Sequence, residues 1–287
     1  KKDIKLPQRK KDSHKGDNGT VLVVGGSKNF VGAVTLAGLA ALRSGADLVK
    51  IIAPEKVAWA INSYSPDLIT IKMKEFSLRK ILSQKFDVLL IGNGIGLSSE
   101  TKKFCKKTIK NIKKFKVIDA DAIKSISMSD AENSIITPHS KELEQFLINS
   151  GIKNTIIKKI FSLRENFFAK SKLIKKITQK FLNKDNVILL KGRIDIIISK
   201  DEVFYNKTGN AGMTKGGTGD ILAGLCAGYL AQSKVWQASN ATHCKYLLQS
   251  AINAAYFNGL IGDILLKKKK GFTYLASDMV EEIRRII

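Results

Sequence analysis

The feature that most limits how this chain can fold is a series of short runs that are apolar at every position. Val21-Leu22-Val23-Val24, Val88-Leu89-Leu90-Ile91 and Val187-Ile188-Leu189-Leu190 are examples. Side chains alternate between the faces of a strand, so such a run must be covered on both sides. The stretches between the runs carry helical patterning. Together they predict strands at 20–27, 47–53, 87–92, 116–119, 134–137 and 187–191. Helices are expected at 30–43, 54–64 (begun by Pro54), 98–114, from Ser140, and through 155–183. This alternation means a mainly parallel sheet with helices on both faces. At the far edge, 195–199 and 202–206 read as a hairpin around Lys200-Asp201. After Asp220 the pattern is helical, ending in a helix opened by Ser277 and Asp278. With no internal repeat or long linker, residues 1–287 are read as one α/β domain.

In open sheets of this kind ligands bind at the carboxyl ends of the strands. The residues at those ends are Gly25-Gly26, Gly92 to Gly96, Asp119 with Asp121, Thr137-Pro138-His139, and Lys191-Gly192. A longer station follows the hairpin. Residues 208–220 (Thr-Gly-Asn-Ala-Gly-Met-Thr-Lys-Gly-Gly-Thr-Gly-Asp) lead straight into the apolar stretch 221–230. Glycines admit a ligand close to the backbone, and a helix start aims unpaired N–H groups at it, which suits phosphate. Asp220 is expected at that helix start, where the dipole would lower its pKa and keep it ionised to take a proton from an attacking hydroxyl. The alternative is a glycine turn that Asp220 merely caps.

The formal charge is +24, from 49 basic and 25 acidic residues, which raises nucleic-acid binding as a rival function. The lysines are dispersed over helix-like stretches such as 102–114 and 172–180, however, and read as solvated faces. Cys105, Cys226 and Cys244 have no metal-ligand spacing, which fits a reduced, cytoplasmic protein. No charge-free apolar run reaches the roughly 18 residues of a membrane span. The basic start, 1–15, lacks a signal-type apolar core. The chain begins without Met, and a longer gene product is expected.

These stations, in this order, resemble the ADP- or ATP-dependent NAD(P)H-hydrate dehydratases of the ribokinase-like superfamily. The matching stretches are Ser13 to Gly16, Gly25 to Ser27, Gly32-Ala33, Asp119 to Ala122, Thr137 to His139 with Glu142, Lys191-Gly192, Gly209 to Asp220, Asn258 to Asp263, and Ala276 to Asp278. They span nearly the whole chain. Three departures stand out. The family's usual Gly-Pro-Gly-Leu-Gly is Gly92-Asn93-Gly94-Ile95-Gly96 here, Asn258 replaces a common His, and Arg193 and Asp195 are less usual.

The resemblance implies a three-layer ribokinase-like sandwich and a metabolite-repair reaction. Water is removed from the hydrated nicotinamide ring of NADHX or NADPHX at the expense of ADP or ATP with Mg2+. Hydroxide leaves poorly, whereas a phosphorylated hydroxyl leaves with help from the ring nitrogen; transfer itself is mostly positioning and charge neutralisation. Asp220 would be the base. Backbone N–H groups of Gly216, Gly217, Thr218 and Gly219 would hold the transferred phosphoryl group. Lys191, Gly192, Arg193, Ile194, Asp195 and Gly219 would border the nucleotide, and Ala33, Gly94 or Gly96, and His139 would line the hydrate pocket. His139 is also open to a plain helix-capping role. Asp119 and Asp121 are open to capping or to indirect contact with Mg2+, and Lys215 to tuning phosphate charge. No protein metal site is expected. An epimerase domain would precede this one in a longer chain, and a homo-oligomer such as a tetramer is expected. The nearest rival is a kinase of the same superfamily acting on a vitamin-precursor alcohol. The sequence leaves open the choice between ADP and ATP and between the two hydrates.

Overall fold

The computed structural model describes residues 3–233, 243–268 and 271–286. The fully apolar runs become the strands of one nine-stranded sheet. They are β1 (Thr20–Val24), β2 (Leu48–Pro54), β3 (Ile69–Met73), β4 (Val88–Ile91), β5 (Phe115–Ile118), β6 (Ser134–Ile136), β7 (Asn186–Leu190), β8 (Asp195–Ile198) and β9 (Val203–Asn206). Their spatial order is β3-β2-β1-β4-β5-β6-β7-β8-β9. β1 to β7 pair in parallel, with Val21 opposite both Val49 and Val88. β8 and β9 add on antiparallel, as the hairpin reading expects.

Alternation along the strands divides the core in two. Val21 and Val23 of β1 face one layer while Leu22 and Val24 face the other. The first layer is covered by α1 (Val31–Arg43), α10 (Thr218–Ala231), α11 (His243–Lys268) and α12 (Ala276–Ile283). Across the sheet lie α3 (Leu78–Leu82), α4 (Ser99–Asn111), α6 (Ser140–Asn149), α7 (Asn154–Ser162), α8 (Phe167–Ile177) and α9 (Gln179–Leu182). α2 (Glu55–Tyr64) and the single turn α5 (Ala120–Ile123) complete the set of described α-helices. The result is the expected three-layer α/β sandwich with a mainly parallel sheet.

α10 sets the geometry of everything downstream. Every residue from Ile221 to Ala231 is buried, because the helix lies between α1 and α11 and against β4 and β5. A Cβ on Gly224 would stand 2.2 Å from the Ala37 carbonyl oxygen, so the α1 and α10 backbones meet there with no room for a side chain.

The structure differs from the sequence reading at several points. The edge strand β3 and the short α3 carry no continuous apolar run and escaped it; β3 reads Ile-Thr-Ile-Lys-Met with its first residue exposed. Pro54 closes β2 and stands before α2 rather than inside it. The helical stretch expected at 155–183 is three helices, broken around 163–166, where Asn166 caps the second by accepting from the Ala169 N–H at 2.9 Å.

Candidate active site

The order of the strands reverses direction between β1 and β4, the switch point where open α/β sheets leave a crevice. Two glycine turns meet there. The Gly26 N–H donates to the Asn93 carbonyl at 2.9 Å, and a Cβ on Gly25 would stand 2.4 Å from that same oxygen. Across the crevice lies the start of α10. Its leading residue, Gly217, has φ 96°, a left-handed conformation that suits glycine. The first bond of this helix runs from the Ile221 N–H to the Gly217 carbonyl at 3.1 Å. The N–H groups of Thr218, Gly219 and Asp220 therefore have no partner within the helix and carry its positive end.

The loop 208–217 is fixed from behind by α11 and the segment after it. Asp263 accepts from the Gly209 N–H at 2.9 Å and from Asn210 Nδ2 at 3.1 Å. Asn210 Oδ1 accepts from the Tyr274 hydroxyl at 2.7 Å and the Gly212 N–H at 3.0 Å. The Lys215 ammonium is bound to the carbonyls of Phe272 and Tyr274, which makes it an anchor for the loop. Thr218 Oγ1 closes the turn on Met213 and Lys215 carbonyls. Asp263 was visible in the sequence only as the end of a matching stretch, and its role as the loop's support comes from the structure.

Asp220 does not cap α10. Its Oδ1 accepts from Asn93 Nδ2 at 2.7 Å, and its Oδ2 has no hydrogen-bond partner among the described residues. The same Asn93 nitrogen donates to Asp119 Oδ2 at 2.9 Å. Asp119, at the end of β5, also accepts from Thr137 Oγ1 at 2.7 Å and pairs with Lys191 Nζ at 3.0 Å. Glu142 lies 3.6 Å from Lys191 on the other side. Burial pulls the Lys191 pKa down, but Asp119 and Glu142 more than offset it, so the ammonium is held above its ordinary value.

The expected lowering of the Asp220 pKa is overturned. Burial raises it, the Asp119 carboxylate adds to the rise, and together they outweigh the Asn93 hydrogen bond and Lys191, giving a value of about 6. The helix start at Thr218 still favours the charged form, but desolvation is the larger effect. A carboxylate titrating near 6 is ionised at neutral pH and is more basic than a free aspartate, which suits general-base work.

Beside these groups opens a cavity of about 570 Å3. Its lining includes His139, the 191–193 turn with Asp195, residues 208–211 with Met213 and Thr214, then Thr218, Gly219 and Asn258. The structure therefore brings Lys191, Gly192, Arg193, Asp195, Thr218, Gly219 and His139 around one cavity. Gly216 and Gly217 belong to the turn that leads into α10 and are not part of the cavity lining. Ile194 lines a separate pocket with Phe167, Phe168 and Tyr205. Asp195 binds the Gly192 N–H at 3.1 Å and Asn206 at 3.0 Å, and so ties the turn to the hairpin, while Arg193 pairs with Glu165 at 2.8 Å on the surface. Ala33 and Gly94 are neighbours, since a Cβ on Gly94 would lie 3.2 Å from that of Ala33. They flank the crevice on the Asn93 side.

His139 caps α6 and also borders the cavity. Its Nδ1 accepts from the Lys141 and Glu142 N–H groups at the start of α6, and its Nε2 lies 3.3 Å from Glu142 Oε1. Burial depresses its pKa, against the pull of Glu142, so the ring is neutral at physiological pH. Asp119 stands at the N-cap position of α5 but its side chain makes no cap hydrogen bond, and Asp121 lies within that turn. Asp121 accepts from the Gly96 N–H at 3.0 Å and pairs with Lys124. Among the described residues no group of three or more His, Cys, Asp or Glu side chains is placed to hold a metal.

The model of a family described as NAD(P)H-hydrate dehydratase matches residues 21–285. The chain belongs to that family. Among curated relatives in the NAD(P)H-hydrate dehydratase family, it is 37% identical to the bifunctional NAD(P)H-hydrate repair enzyme Nnr of Methanocaldococcus jannaschii, over 98% of this chain and 50% of that protein. The chain thus spans about half the length of that relative. It is 32% identical to the ADP-dependent (S)-NAD(P)H-hydrate dehydratase of Nitrosopumilus maritimus, covering 98% of this chain and 93% of that one. Among solved dehydratase structures, the ADP/ATP-dependent NAD(P)H-hydrate dehydratase of Bacillus subtilis, co-crystallised with ATP and Mg2+, superposes with a TM-score of 0.77. It is 25% identical and covers 98% and 92% of the two chains.

Proposed function

We propose that this domain dehydrates NADHX or NADPHX to NADH or NADPH, using ADP or ATP as phosphoryl donor. The observation that carries this reading is Asp220, a carboxylate with one bound and one unengaged oxygen, placed beside the unpaired N–H groups that open α10. The unengaged Oδ2 takes the proton from the ring hydroxyl as that oxygen attacks the terminal phosphorus. The N–H groups of Thr218 and Gly219 neutralise charge on the transferred group, a contribution of about 3 kcal/mol per donor in comparable sites. The phosphorylated ring then loses phosphate as the ring nitrogen's lone pair pushes out the C–O bond, and the adjacent carbon gives up a proton to restore the double bond. ADP becomes AMP, or ATP becomes ADP. Mg2+ bound with the nucleotide would supply charge neutralisation on its phosphates.

Lys191, Gly192, Arg193, Asp195 and Gly219 border the nucleotide, and Ala33, Gly94, Gly96 and His139 border the hydrate. The Nitrosopumilus relative's name supports a preference for ADP. An N-terminal epimerase domain in the intact protein, a homo-oligomeric state and a cytoplasmic location belong to the same reading. Buried, unpaired cysteines support the last. No described helix is long and apolar enough to cross a membrane. The test is direct: NADH hydrate is mixed with ADP or ATP and Mg2+, and the return of dihydronicotinamide absorbance is followed. No return with either nucleotide would exclude the reading.

A further inference from the structure

Asn93 places a polar side chain at the switch point between β1 and β4, where it calls for an explanation. Asn93 is fully buried. An amide carries two N–H hydrogens on one nitrogen, and here each has a carboxylate to meet, Asp119 Oδ2 at 2.9 Å and Asp220 Oδ1 at 2.7 Å. The opposite orientation would put the amide oxygen against two carboxylate oxygens, so the acceptors fix which way the group faces.

We infer that Asn93 is a positioning residue: its amide nitrogen clamps Asp220 through Oδ1 and separates it from Asp119, leaving Oδ2 presented to the attacking hydroxyl. A proline at this position can do neither. The inference rests on the dehydratase reading for what Oδ2 receives, but the clamp itself is a statement about two carboxylates.

The groups facing Asp220 are few and named. Asp119 approaches from the end of β5, Lys191 from the end of β7, Glu142 from α6, and Asn93 from the turn after β4. Among these, Asn93 and Lys191 favour the charged carboxylate while the two acids oppose it. Removing the amide therefore removes one of the two side chains that favour the charged form and lets the Asp119–Asp220 repulsion act undivided. The Asp220 titration should move up. The base would also be free to rotate off its line to the hydroxyl, a loss that falls on turnover more than on nucleotide binding.

The experiment compares wild type with Asn93→Ala and Asn93→Pro, both of which remove the amide. Aspartate carboxyls are labelled with 13C, and the Asp220 signal is assigned by its disappearance in Asp220→Asn. Its titration midpoint is then read by NMR. The expected result is an upward shift of about half to one pH unit in both variants. Alongside it, kcat falls about 10- to 100-fold with the nucleotide KM within about 3-fold of wild type. A midpoint that stays at its wild-type position in a folded variant overturns the clamp, as does unchanged kcat. If wild type itself turned over no hydrate, the dehydratase reading would fail while the NMR titration still decided the role of Asn93. Should Asn93→Pro fail to fold, Asn93→Ala keeps both readouts.

Discussion

The Lys191 ammonium lies 3.0 Å from the Asp119 carboxylate, bridging the ends of β7 and β5 beneath Asp220. It is the cation that the pKa balance of Asp220 sets against Asp119 and Glu142. Replacing Lys191 with Met leaves those acids buried and uncompensated, a change that typically costs about 3–5 kcal/mol. Thermal or urea unfolding of Lys191→Met should show that loss, and nucleotide binding should weaken with it. A variant as stable as wild type would mean the pair is exposed in solution.

Asp220→Asn should separate activity from stability in opposite directions. The variant cannot accept a proton, so turnover should fall by about 10²- to 10⁴-fold. Its stability should rise. Asp220 titrates near 6 in the fold against 3.8 unperturbed, so the folded state holds its proton more tightly than the unfolded chain. Stability is then lost as pH climbs from about 4 through 6, and that penalty is fully present at pH 7. Removing the charge should recover about 1–3 kcal/mol at pH 7 and almost nothing at pH 3.5. Denaturant midpoints at the two pH values provide the measurement.

The same titration predicts the pH profile. With the base ionised only above its pKa, kcat/KM should fall below about pH 6, tenfold per unit. A limb near pH 4 would mean Asp220 is more solvated in the working enzyme than in the fold described above.

Two glycines should respond differently to alanine. A Cβ on Gly216 meets nothing within 4 Å, whereas one on Gly224 would stand 2.2 Å from the Ala37 carbonyl. Gly216→Ala should keep the wild-type melting temperature, and it should lose nucleotide affinity if the Gly216 backbone holds the transferred phosphoryl group. Gly224→Ala should be destabilised by about 3 kcal/mol or more. Isothermal titration with ADP and a melting curve on each variant distinguish the two.

The net charge of +24 bears on encounter. Nucleotide and dinucleotide are anions, so kcat/KM should decline modestly as ionic strength rises, with kcat nearly constant. A flat response would assign the lysines to solubility alone.

The parts of this molecule that were legible in the sequence are those where burial is two-sided. β1, β4 and β7 need apolar side chains on both faces, and α10 needs them all round, so each wrote an unbroken apolar run into the chain. Their ends then located the strand-end stations. β3 lies at the sheet edge with Lys72 and an exposed Ile69, and its pattern carries no such mark. The pKa of Asp220 departs from the sequence reading because the helix start is a local feature, whereas the burial that raises it most, and the Asp119 carboxylate that adds to it, exist only in the fold. Asn93 was missed for the same reason. In the sequence it is an asparagine in a glycine turn, and only the convergence of β4, β5 and α10 gives its amide two carboxylates to hold.

The loop 208–217 is held in place by parts distant in sequence: Asp263 and Tyr274 beneath it, Gly259 against Thr208, and the α1 backbone against the helix it leads into. It is not a portable cassette. An engineer transplanting residues 208–220 into another α/β scaffold would carry over the glycines and the acid but leave behind the seat that shapes them, and the graft would lie slack. Any successful transfer of this chemistry would have to move α1, α10 and α11 together, as one block.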